Sequence, residues 1–159
     1  MEEQIKMARL NAEFSKKQND LKARKQMVEH LKHVKLSHVD DEYHEKKREL
    51  LADIADLRKQ KEGLAIDDTK RCSLTDAIRS IEDKLNIIRD ERDTDARRVA
   101  YEAFSELMEL DEEGRRLNEW LDDEKIKVME EQHSAKLAKE AAEFLQSPHI
   151  KQEEEGGDQ

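Results

Sequence analysis

Proline is almost missing from this chain: across 159 residues the only one is Pro148, so nothing upstream carries the residue that breaks helices most strongly. Glycine is nearly as scarce. Gly63, Gly114, Gly156 and Gly157 are the full set, and no spacing among them makes a phosphate-cradling loop. Aromatics amount to one Trp, two Tyr and three Phe, and hydrophobic residues to 35%, too little apolar surface to wrap a compact globular core of this length. The lone cysteine, Cys72, excludes an intramolecular disulfide and has neither zinc-ligand spacing nor a neighbouring histidine to activate it. An ordinary thiol in a reducing, cytoplasmic compartment is expected. The opening Met-Glu-Glu-Gln lacks the basic and apolar regions of a secretory signal, and no window approaches the run of about 18 apolar residues that a membrane helix needs. No membrane contact is expected.

What the chain does have is charge and period. Charged residues make up 44% and the net charge is −10, a balance that also describes unfolded chains. Periodicity argues for order instead, because apolar residues recur at three and four among good helix formers such as Glu, Lys, Leu and Ala. An all-α, elongated coiled coil of long helices follows. Two apolar positions in seven bury a narrow stripe against another helix.

The stripe falls into three phased segments. Met7, Leu10, Phe14, Leu21, Val28 and Leu31 form the first, with Lys17 and Arg24 as its polar members. Displaced by one residue, Leu36, Val39, Tyr43, Lys46, Leu50, Leu57 and Leu64 form the second, with Ile54 lying beside the stripe next to Asp53. It resumes as Leu74, Ile78, Ile81, Leu85 and Ile88, the cleanest run, and passes through Arg92, Asp95 and Val99. A further displacement gives Leu107, Leu110, Gly114, Leu117, Leu121, Glu124, Val128, Glu131, Ala135, Ala138, Ala142 and Leu145. Each displacement moves the average period toward 3.6 and relaxes the supercoil.

Two architectures satisfy this pattern. In one, a nearly continuous helix of residues 2–146, on the order of 215 Å long at 1.5 Å per residue, pairs with a partner in trans. In the other the chain folds back once. The stretch from Gly63 to Ser73 is the poorest interior helix, and Ser73 with Asp76 resembles an N-cap, so residues 2–65 and 74–146 are read as two helices about a bend at 66–73. Facing positions of an antiparallel hairpin would then sum to about 138, setting Leu57 against Ile81 and, unfavourably, Lys46 against Arg92. Ser147-Pro148 ends the helix, and residues 147–159 are read as a disordered acidic tail.

Candidate chemistry is sparse. His30, His33, His38 and His44 are too irregularly spaced for three ligands to converge, so no metal is expected. No cofactor, catalytic group or cleft is expected either, and the chain is read as not an enzyme. Lys16, Lys17, Lys22, Arg24, Lys25, Lys32 and Lys35 make a basic stretch suited to an acidic filament surface; it lacks the stacking aromatics of a nucleic-acid binder. Residues 1–48 carry 12 basic and 9 acidic side chains against 7 and 18 in residues 101–159, which favours antiparallel arms. Tyr101, Phe104, Met108, Trp120 and Met129 widen the apolar stripe into a patch for a protein partner. The functional expectation is a structural coiled-coil subunit: a scaffold, spacer or adaptor in an intracellular assembly of the kind found in cytoskeleton and cilia, as a homo- or hetero-oligomer. The alternative is a self-folded hairpin module that binds one protein through the patch around Trp120.

Overall fold

The computed structural model describes residues 1–146. It contains two helices, α1 over Glu2–Glu62 and α2 over Lys70–Leu145, packed against each other as a hairpin, with no strand among the described residues. The folded-back alternative is therefore the observed one. The acidic tail expected at residues 147–159, and the helix stop at Ser147-Pro148, lie outside the described residues.

The reversal occupies residues 63–69, earlier than the bend expected at 66–73. Its chemistry explains the difference. Gly63 and Leu64 still donate to the Lys59 and Lys61 carbonyls at 3.3 and 3.2 Å, tightening the last turn of α1. The Arg71 guanidinium then reaches back and donates to the carbonyls of Lys61 (3.2 Å) and Leu64 (2.9 Å), so a cation from α2 satisfies the acceptors that the end of α1 leaves open. Asp68, not Ser73, caps α2: its Oδ1 accepts from the Lys70 amide at 3.0 Å. The Cys72 amide donates to the Thr69 carbonyl at 3.3 Å and the Thr75 hydroxyl to the Arg71 carbonyl at 2.9 Å, so the helix is already running at Ser73. No described residue takes a positive φ, and the turn is made without left-handed glycine.

The hairpin divides into two compact units, a turn-bearing unit of Arg24–Leu110 and a terminal unit of Met1–Ala23 with Asp111–Gln159. In the turn-bearing unit, Ile54, Ile78, Ala103 and Leu110 are buried, at 4 to 8% exposure. Around them the covered stripe of α1 runs Val28, Lys32, Leu36, Val39, Tyr43, Lys47, Leu50, Ile54 and Leu57. Two steps of four and one of three therefore occur twice in succession, an eleven-residue repeat that offsets the left-handed winding of the heptads beside it. On α2 the same repeat carries the stripe from Val99 through Ala103 and Leu107 to Leu110.

This local period corrects three assignments. Leu31, expected in the stripe, is 45% exposed, and the aliphatic stem of Lys32 takes its place. Lys46 is exposed and its neighbour Lys47 half-covered. Ile54, expected to lie beside the stripe, is the most buried side chain among the described residues. The expected clash of Lys46 with Arg92 also resolves. Arg92 lies over the Tyr43 ring at 4.7 Å and reaches Asp40 at 3.9 Å, trading a like-charge contact for a cation–π contact and an ion pair across the arms.

In the terminal unit Leu121 and Val128 are buried, flanked by half-buried Leu10, Phe14, Leu21 and Leu117. A Cβ at Gly114 would meet only the Leu21 side chain, at 4.0 Å, so this glycine fills a stripe position without being sterically required. Lys6 pairs with Glu131 at 3.2 Å, which confirms antiparallel arms here. Such an exposed pair orients more than it stabilises, at about 0 to 1 kcal/mol. Beyond Gln132 every described residue of α2 is exposed, so Ala135, Ala138, Ala142 and Leu145, expected to continue the stripe, face no helix. Glu131 is exposed as well.

Candidate interaction surface

A two-helix hairpin has one internal seam, and any apolar residue off that seam faces water. Among the described residues none is less than 2% exposed, whereas many large apolar side chains are well exposed. The question is whether these residues scatter or align.

Three groups align. On α2 of the turn-bearing unit, Tyr101, Phe104 and Met108 are 71, 59 and 55% exposed, and their steps of three and four put them on one helix face. On α1 of the same unit, Met27, Leu31 and Val34 repeat the pattern. In the terminal unit, Ile126 and Met129 line a shallow depression with Glu130, His133 and Ser134, and Leu137 and Phe144 are exposed further along α2.

The five residues expected to form one patch are thus not alike. Tyr101, Phe104 and Met108 share a stripe in one unit. Trp120 and Met129 belong to the other. Trp120 is half-buried, with the Lys17 ammonium 4.0 Å from its ring centroid, so this side chain is engaged inside its own unit. Met129 joins the Ile126 group. The α1 stripe escapes sequence reading because Leu31 fits a strict heptad, and only the substitution of Lys32 at the eleven-residue step exposes it.

Of the basic stretch, Lys17 is held by Glu13 at 3.2 Å as well as by Trp120, which reduces the field available to an acidic surface. On α2, Arg115 is hydrogen-bonded to Glu112 and, at 2.7 Å, to Glu119, while Arg116 reaches Glu112 at 3.7 Å. The hydrogen bond from Arg115 holds the Glu112 carboxyl below its usual range, and Glu112 in turn raises the Arg115 guanidinium. Neither side chain is buried, at 61% exposure for Arg115 and 43% for Glu112, so the network lies on the surface of α2.

Nothing convergent is built from the remaining candidates. The His44 ring tilts against Tyr43 with centroids 5.4 Å apart, and among the described residues no group of three or more His, Cys, Asp or Glu side chains is placed to hold a metal. Cys72 is exposed near the start of α2. No described helix is long and apolar enough to cross a membrane. A small groove lined by Val39, Tyr43, Lys46, Ile88, Arg92 and Asp95 follows the polar part of the seam. The chain matches no protein-family profile, curated protein or solved structure.

Proposed function

We propose that this chain is a non-catalytic protein-binding module, a helical hairpin that closes its own seam and recruits partner helices to apolar stripes on its outer faces. One observation carries the reading: Tyr101, Phe104 and Met108 stand 55 to 71% exposed in register on a single face, although the hairpin already has its own seam. Aligned apolar groups left in water lower solubility, and large aromatic and Met side chains are the ones that anchor helix-in-groove contacts. A scaffold or adaptor subunit of an intracellular assembly, cytoskeletal or ciliary among them, is the role such a module would serve; composition alone supports that placement.

The test is capture from the native cell with the chain and with the triple variant Tyr101→Glu, Phe104→Glu, Met108→Glu. Because these positions are exposed, the variant should keep its circular-dichroism spectrum while losing most of the specifically captured protein, about 1 kcal/mol or more of affinity per anchor. Equal capture by both chains would remove this stripe from the account.

A further inference from the structure

The two exposed stripes of the turn-bearing unit match each other in the register that the hairpin already uses inside. Covered Val28, Lys32 and Leu36 of α1 answer covered Leu107, Ala103 and Val99 of α2, each pair of residue numbers summing to 135, as do Tyr43 and Arg92, which meet at 4.7 Å. Outside the seam, Met27, Leu31 and Val34 give the same sum with Met108, Phe104 and Tyr101. Steps of four and three forward along α1 thus meet steps of four and three backward along α2. All six side chains are 38 to 71% exposed. Met27 and Leu31 come one residue before seam positions, and Phe104 and Met108 one residue after, so each stripe lies roughly a third of a turn round from its own seam. Between antiparallel helices these opposite turns put the stripes on opposite faces of the hairpin, where they cannot meet within one molecule.

We infer that the Met27 stripe of one copy docks on the Tyr101 stripe of a second copy, antiparallel and in the register of the internal seam. This docking rests on Tyr101, Phe104 and Met108 being a helix-binding face, and it names the helix. Met27 then faces Met108 of the second copy, Leu31 faces Phe104, and Val34 faces Tyr101. Because the two turns are nearly equal and opposite, the stripes point along one line, and the second copy takes the orientation of the first with no shift along the helix axis. Its own α1 stripe is left open. The contact is therefore heterologous, and copies add side by side.

Charge selects this pairing over each stripe meeting its own copy. The register sets residues 25–36, with three basic and one acidic side chain, histidines aside, against residues 99–110, with three acidic and none basic. Opposite net charge favours that contact, whereas α1 on α1 or α2 on α2 would bring like charge together. Glu29 and Glu106 share the sum of the stripes, but each stands two residues from its stripe neighbours, about half a turn away and on the far side of its helix from the contact. Just beyond Tyr101, Arg97 meets the His38 imidazole.

Sedimentation of the full chain at rising concentration tests this. The average mass should climb past that of a dimer, because each added copy leaves a face open. Leu31→Glu and Phe104→Glu, both at exposed positions, should keep their circular-dichroism spectra, and each alone should weaken association about tenfold or more. Mixed, the two variants should form a one-to-one dimer and stop there, since each supplies the face that the other has lost. A parent chain that is monomeric throughout overturns the inference, as does a variant that associates alone as well as the parent, or a mixture that does not pair. If the parent is monomeric yet the triple variant at Tyr101, Phe104 and Met108 still loses captured protein, the second copy is refuted and the stripe remains a face for another protein.

Discussion

Replacing Ile54 with Glu should unfold the turn-bearing unit at room temperature, with a loss of more than about 4 kcal/mol, since both an apolar burial is lost and a charge is buried. The side chain is 4% exposed, the most buried among the described residues, so burial of its apolar surface contributes roughly 2 kcal/mol or more. A carboxylate there must be desolvated or protonated, which adds a comparable amount. The unit has few other buried groups to draw on: Ile78, Ala103 and Leu110. Leu51→Glu is the control, since Leu51 sits one turn away on the same helix and is 46% exposed. Glu is a good helix former at both positions, so propensity cancels. Thermal unfolding followed by circular dichroism should show the first variant melted and the second within about 1 kcal/mol of the parent. Equal losses would mean that Ile54 does not face the other arm.

The second large effect is confined to the terminal unit. Leu121→Glu removes one of the two buried side chains among its described residues, the other being Val128. The loss should again exceed about 3 kcal/mol, more than two half-covered helical arms can offset. Because contacts group into two units, hydrogen exchange should speed up for amides of residues 2–23 and 111–132 while those around Ile54 and Ile78 keep their protection. Loss of protection throughout would show that the chain unfolds as one cooperative block.

Much of this fold can be read from residue order. Helical period, scarcity of proline and the weak stretch after Gly63 point to two helices or one, and the apolar stripe residues from Leu36 to Leu64 and from Leu74 to Val128 are covered or half-covered. Two physical facts are hidden from such a reading. Charged residues with long stems, Lys32 and Lys47, fill stripe positions that a count of apolar residues assigns to Leu31 or leaves to Lys46. The position of the turn is set by Arg71 donating to carbonyls of Lys61 and Leu64, a contact between residues ten and seven apart that no local propensity encodes. The candidate surface is visible in part. Tyr101, Phe104 and Met108 stand out as aromatic and Met side chains off the seam, whereas the engagement of Trp120 by Lys17 depends on two arms meeting. Likewise, the free face beyond Gln132 emerges only when the pairing of the arms is known.

The fold-back of the chain on itself underlies each of these claims, and one distance tests it. Spin labels at Asp41→Cys and Thr94→Cys, in a Cys72→Ser chain diluted with unlabelled protein, report only pairs within one molecule; both positions are exposed. Antiparallel arms about 8 to 10 Å apart place the labels roughly 20 to 30 Å from each other by pulsed dipolar spectroscopy. A continuous helix between them would give about 80 Å, and a distance near that value would contradict the account.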